Sequence, residues 1–209
     1  MAQKDVGNKI PIYKLKTTDE VMKYYDEWGI KNKYDQDMIQ WNYTGPKETV
    51  ATLIKYVKDK NIKILDAGCG TGLVGIELKK HKFLNIDGMD LSKKLLDLVP
   101  KGYYQNLDQV DLNKPIKSQN DTYDAIMCVG TFTFGHVKPH ALDEFIRISK
   151  NKSLICFTIN EGIYEEYGFD KKIEELKKNN KWSIKEFFKS DYIKSKDVNA
   201  WLCLAEVTK

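Results

Sequence analysis

The stretch Ile62-Lys63-Ile64-Leu65-Asp66-Ala67-Gly68-Cys69-Gly70-Thr71-Gly72 constrains this chain more than any other. Ile62, Ile64 and Leu65 are the apolar residues of a parallel strand buried in the middle of a sheet. The glycines that follow tolerate positive φ and carry no Cβ, so backbone can approach a ligand closely. Leu73 to Lys80 can then start a helix. Its unpaired N–H groups and positive dipole end face whatever lies on the turn. The segment predicts a strand–turn–helix unit that holds a polar or anionic part of a small molecule at the carboxyl end of a strand.

Spacing narrows the ligand. The dinucleotide fingerprint G-x-G-x-x-G uses its third glycine for close helix–strand packing. Gly68 and Gly70 fit, but the third place is Leu73 and Gly72 comes one residue early. A nucleotide-triphosphate loop ends in Gly-Lys-Ser/Thr, and no lysine follows these glycines. The run "LDAGCGTG" closely resembles the first motif of S-adenosylmethionine (AdoMet) methyltransferases. That resemblance implies AdoMet as cofactor and S-adenosylhomocysteine as product.

Strand and helix signals alternate along the chain. Thr17-Thr18-Asp19-Glu20 supplies helix-start chemistry, and Val21, Tyr24, Tyr25 and Trp28 recur near helical spacing up to Gly29. A further helical segment runs through Met38 to Tyr43. Pro46 opens another, with Val50, Leu53, Ile54 and Val57 as its apolar stripe. After the glycine turn, Phe83–Met89 reads as a second strand, and Ser92 can cap a helix that Pro100 stops. Tyr103–Leu107 is a weak third strand, Tyr123–Val129 a fourth and Ser153–Ile159 a fifth. Helices fit Pro139–Ser149 and Asp170–Asn179. Trp182–Phe188 and Ala200–Val207 close the chain as two strands without a long helix between them.

Such alternation predicts right-handed crossovers and a parallel sheet with helices on both faces. The closing pair predicts an antiparallel last strand. The expected fold is α/β: a three-layer, doubly wound, mostly parallel seven-stranded sheet with an antiparallel last strand, the version that the resemblance implies. At 209 residues the chain reads as one domain, large enough to bury about 70% of its unfolded surface. Residues 1–16 are expected to be a flexible tail, and 17–45 a helical cap over the cofactor.

Ligands of open α/β sheets bind outside the carboxyl ends of the strands, and the site signals gather at that edge. Asp90 stands twenty residues after Gly70, where a carboxylate can accept hydrogen bonds from ribose hydroxyls; the other reading is a helix-capping aspartate. The resemblance places adenine at Val110, Asp111 and Leu112, and the methionine end against Tyr34. It puts Asp66 where an acidic residue orients the glycine turn or the methionine amine. Gly68, Cys69, Gly70, Gly72, Leu91, Cys128 and Val129 complete the expected cofactor contacts, the two cysteines through backbone and not as nucleophiles. The acceptor is expected beside Gly130–His136. There Thr131, Phe132 and Phe134 are candidate substrate residues, and His136 is either a general base or a structural hydrogen-bonding residue.

Composition restricts partners. The net charge of +4, from 34 basic against 30 acidic residues, is a slight excess on scattered lysines, which describes a solvated surface and not a nucleic-acid footprint. No apolar run approaches the ~20 residues of a membrane span, and Met1–Asp5 lacks the apolar region of a signal peptide. Cys69, Cys128, Cys156 and Cys203 form no C-x-x-C pair. No metal site or disulfide framework is expected, and a reducing, cytoplasmic setting is.

A narrower resemblance, to the Williams–Beuren syndrome chromosomal region methyltransferase-like proteins, rests on Tyr25-Asp26-Glu27-Trp28, Tyr34-Asp35-Gln36-Asp37, "GTGLV" and "VGTFTFGHV". Trp28 there reads either as cofactor cover or as a packing residue. One departure is Lys150-Asn151-Lys152-Ser153, where the family has a Lys-Pro-Gly-Gly turn. The stretch after the fourth strand holds neither the Asn/Asp-Pro-Pro-Tyr/Phe motif of base amino-methylation nor the paired glutamates of arginine methyltransferases. Elimination leaves a small-molecule acceptor, methylated on O or N. A non-catalytic binding or regulatory protein on the same fold is the alternative, and oligomeric state stays open.

Overall fold

The first strand, β1 (Ile64–Ala67), is buried along its whole length, as its apolar run requires of a strand covered on both faces. The structure, a computed structural model, describes residues 6–15 and 17–209. Before the sheet come α1 (Thr18–Trp28), α2 (Lys33–Gln40) and α3 (Gly45–Ile54). Beyond β1 follow α4 (Leu73–Lys80), β2 (Ile86–Asp90), α5 (Lys93–Leu98) and β3 (Asn106–Gln109). Then come β4 (Tyr123–Phe132), α6 (Ala141–Ile148), β5 (Ser149–Asn160), α7 (Phe169–Lys178), β6 (Trp182–Ile193) and β7 (Val198–Val207). The sheet order is β3-β2-β1-β4-β5-β7-β6. Strands β1 to β5 pair in parallel, and β7 lies antiparallel between β5 and β6.

Alternation along the strands splits the core into two layers. Ile64, Ala125 and Met127 pack on one face with Val50 and Leu53 of α3 and Val74 and Leu78 of α4. Leu65, Ile126 and Cys128 face the other way, onto Phe145 of α6 and Phe169 and Ile173 of α7. Thr17 caps α1 through a reciprocal pair, its hydroxyl accepting from Glu20 N at 3.3 Å and its own N–H reaching the Glu20 carboxylate at 3.1 Å.

Several expectations need correction. Positions 1–5 and 16 of the expected tail lie outside the described residues. Residues 6–15, however, are no loose tail: Val6, Ile10, Ile12 and Tyr13 are buried in a cluster with Trp28, Met38, Tyr192 and Ile193. Their apolar side chains follow no single period, so only the distant partners disclose them. β3 falls on Asn106–Gln109 and not on Tyr103–Leu107. The cause is Tyr104, whose hydroxyl turns beneath β1 and donates to the Asp66 carboxylate at 2.6 Å. Lys152, at the place of a family glycine, takes φ +64°. Trp28 is buried, with its Nε1 donating to Asp37 at 2.6 Å, and so packs within the cluster.

Phe132 is also corrected. Its ring is 1% exposed, with ring centroids of Phe169, Phe157 and Phe145 at 4.8, 5.7 and 6.1 Å. Because β4 runs on to Phe132, strand alternation turns this side chain into the α6–α7 layer and not toward a substrate. Phe132→Ala should therefore lower unfolding free energy by about 3–5 kcal/mol in urea denaturation. A loss below about 1 kcal/mol would remove this ring from the core.

Candidate active site

The ends of β1, β2 and β3 meet the far part of β4 at one edge of the sheet, where a cavity opens. Gly68, Gly70 and Val129–Thr131 border it from the strands, with Asp90–Ser92 and Val110–Asn113 beside them. Val21, Met22 and Tyr25 of α1 and Tyr34 of α2 supply the N-terminal wall, and His136 lies beyond β4. This is the crevice in which open α/β sheets hold ligands.

The turn after β1 owes its shape to glycine. Gly68 and Gly70 have φ of +81° and +54°. A Cβ on Gly68 would collide with the Thr131 side chain, whereas one on Gly70 would meet nothing within 4 Å. Open space therefore lies directly over the Gly70 backbone. Gly72 sits outside the cavity as the residue before α4, and Cys69 borders a smaller recess with Thr71.

Asp90 ties this turn to the next. One carboxylate oxygen accepts from Gly70 N and the other from Ser92 N, both at 2.8 Å. Among the described residues no cation pairs with it, and burial pushes its carboxyl up while the backbone N–H groups pull it down. Each oxygen keeps a lone pair for a hydroxyl donor. Capping of α5 falls instead to Ser92, whose hydroxyl accepts from Leu95 N at 3.2 Å. Val110, Asp111 and Leu112 line the cavity, and Asp111 accepts from Asn113 N at 3.0 Å and pairs with Lys114 at 3.2 Å.

Asp66 stands behind the turn, fully buried. Tyr104 donates to one of its oxygens and itself accepts from Gly75 N at 3.1 Å, while the other oxygen has no hydrogen-bond partner. Burial pushes this carboxyl up to about 7. The carboxyl thus props the turn through Tyr104 and does not face the cavity.

His136 is not a free base. Its Nδ1 faces the Phe134 carbonyl oxygen and so carries the proton, and Nε2 accepts from the Tyr25 hydroxyl at 3.0 Å. Burial pulls the imidazole down to about 4, so the ring is neutral near pH 7. Tyr25, held well above its ordinary value by burial, lines the cavity between His136 and Tyr34. Sequence reasoning placed Tyr25 in a motif without giving it a site role. The signal was there, in its recurrence with Tyr34, but not its partner 111 positions away.

Besides Asp66, Cys69 and Gly72, three expected site residues turn their side chains away from the cavity. Cys128 is fully buried in the α6–α7 layer, where desolvation raises its thiol. Phe132 lies in the same layer. Phe134 packs between Tyr13 and Tyr167, at centroid distances of 5.1 and 6.3 Å, and does not line the cavity. Thr131 does line it. Among the described residues no group of three His, Cys, Asp or Glu could hold a metal ion, and no helix is long and apolar enough to cross a membrane.

Residues 64–152 match the family model described as a methyltransferase domain. Methyltransferase-like protein 27 of Homo sapiens is 34% identical over 141 residues, 66% of this chain and 56% of that protein. EEF1A lysine methyltransferase 2 of Danio rerio is 30% identical over 108 residues, covering 47% and 46%. The chain thus spans about half the length of these relatives. Among solved structures, magnesium protoporphyrin IX methyltransferase from Synechocystis PCC 6803, with bound AdoMet, superposes with a TM-score of 0.66. The superposition covers 90% of this chain and 97% of that one at 14% identity. The architecture is that of the AdoMet-dependent methyltransferases.

Asp66 yields a pH test. Its folded value of about 7 exceeds its ordinary 3.8, so the native state holds an extra proton between the two. Its stabilising contribution is full below pH 3.8 and is lost as pH rises through about 7. Asp66→Asn, which mimics the protonated form, lacks this loss. Relative to wild type the variant should gain stability from about pH 4.5 to about pH 7.5, with a slope no steeper than about 1.4 kcal/mol per unit. Urea midpoints of both proteins at those pH values measure it, and a pH-independent difference would refute the raised carboxyl.

Proposed function

From a chain that contains a methyltransferase domain in the AdoMet-methyltransferase fold, we propose an enzyme that transfers a methyl group from AdoMet to a small-molecule oxygen or nitrogen. The observation that carries this reading is the pairing of open space over Gly70 with the Asp90 carboxylate on one cavity wall. When bound, AdoMet supplies an electrophilic methyl group on a sulfonium.

In this reading Asp90 accepts from the ribose hydroxyls, and Val110, Asp111 and Leu112 hold the adenine. Tyr34 lies against the methionine end, and the Gly68–Gly70 backbone lets the cofactor approach. Transfer then needs an aligned acceptor and a place for its proton. Tyr25 Oη, which donates to His136 Nε2, offers a route by which an acceptor's proton reaches the imidazole. An imidazole of such low basicity suits an acceptor that gives up its proton readily. The narrower resemblance to the Williams–Beuren region methyltransferase-like proteins rests partly on the same segments, with Tyr25, Tyr34, Val129 and His136 on the cavity wall. The Danio rerio relative is by its name a lysine methyltransferase; walls supplied here by α1 and α2 favour a small acceptor over a protein chain. Four unpaired, buried cysteines suit a reducing compartment, and we place the protein in the cytoplasm.

Calorimetric titration tests the reading. AdoMet and S-adenosylhomocysteine should bind with micromolar affinity and NAD should not. Asp90→Ala should weaken both by about 1–3 kcal/mol through lost charge-assisted hydrogen bonds. Unchanged affinity in the folded variant would refute the ribose assignment. No binding to folded, ligand-free wild type would overturn the enzyme reading itself.

A further inference from the structure

Beside the large cavity lies a second chamber that shares Tyr25, Tyr34 and Gly130 with it. Its remaining walls come from distant parts of the chain, among them Ile12 and Tyr13, Trp28 and Trp41, Thr133 and Tyr192. Three facts about these walls bear on what could enter.

First, no charged side chain lines the chamber among the described residues. Asp37 accepts from Trp28 Nε1 at 2.6 Å, and Lys196 Nζ lies 4.8 Å from the centre of the Trp41 ring, but neither reaches the lining. The phenols are neutral as well: burial holds Tyr13, Tyr34 and Tyr43 well above their ordinary value and Tyr192 at about 12. A charged occupant would lose its hydration with no opposite charge to meet it.

Second, the surface offers aromatic faces and edges. Trp28 lies 5.1 Å from Tyr34 and 5.5 Å from Trp41 between ring centroids, and Tyr43 meets Tyr192 edge-on at 5.0 Å. Planar rings pack against such walls in offset or edge-to-face geometry.

Third, hydroxyl groups are placed where the two cavities join. Tyr43 and Tyr192 bring their oxygens within 3.3 Å of each other, and a Cβ on Gly130 would stand 2.9 and 3.1 Å from them. Thr133 lines the same chamber, its buried hydroxyl beside the Tyr13 phenol. Each of these hydroxyls can both donate to and accept from a polar group on a ligand.

We propose that this second chamber is the methyl-acceptor site and that it takes an uncharged molecule with a planar aromatic body and a hydroxyl or similar hydrogen-bonding group. The proposal rests on AdoMet occupying the larger cavity. The shared wall then sets the acceptor beside Tyr25, with its ring against Trp28, Trp41 and Tyr192.

Titrations on the full chain with S-adenosylhomocysteine, alone and then with 2-naphthol, 2-naphthoate or 2-naphthylmethylammonium, test it. The neutral naphthol should bind the protein–S-adenosylhomocysteine complex at least about tenfold more tightly than either charged analogue. Trp41→Ala should weaken naphthol about tenfold or more and leave S-adenosylhomocysteine affinity unchanged. Thr133→Val, which keeps shape and removes the hydroxyl, should weaken naphthol several-fold if the Trp41 variant does not fold. The proposal falls if naphthol fails to bind, if it competes with S-adenosylhomocysteine, if a charged analogue binds equally well, or if neither variant changes its affinity. Failure of S-adenosylhomocysteine itself to bind would instead defeat the underlying enzyme reading.

Discussion

Asp90 accepts from Gly70 N and Ser92 N and so fastens the ends of β1 and β2 to each other. The turn N–H groups must be satisfied at a place where no strand continues, and a carboxylate does this more strongly than a carbonyl could. Gly68 N and Cys69 N add bonds to the Met89 carbonyl at 2.7 and 3.0 Å. With the turn so held, the space over Gly70 stays open and α4 can start where it does. The carboxylate that organises the backbone is also the acidic group that lines the cavity.

A second layer of support lies behind the turn. Asp66 reaches it through Tyr104, and the absence of a Cβ on Gly75 gives that phenol its room. The carboxyl is cut off from water, and that burial is why its proton is retained above the ordinary range. In front, the aromatic residues of the N-terminal segment and α1–α2 meet Tyr192 and Ile193 from the end of β6. The part of the cavity farthest from the glycine turn is therefore built by long-range contacts alone.

The strand–turn–helix unit, the alternation of elements and the antiparallel last strand were legible because each is a local signal. Glycine spacing, period-2 and period-3.6 patterns, and the Thr17 and Ser92 caps need only near neighbours. Tyr25 and His136 could be singled out by type but not as a bonded pair, since 111 residues separate them. Phe132 was misplaced for a related reason. Which face a residue near a strand end takes depends on where the strand stops, and β4 continues to Phe132.

From residue order alone, then, came the α/β class, the ligand-bearing edge of the sheet and the acidic residue at the end of β2. Tertiary structure decided the rest. Tyr104 left its expected strand because a buried carboxylate lay within reach, and Val6, Ile10 and Ile12 were drawn into the core by partners beyond Trp28. Local propensity specifies elements, but the faces they bury and the cavities between them follow from packing among residues remote in the chain.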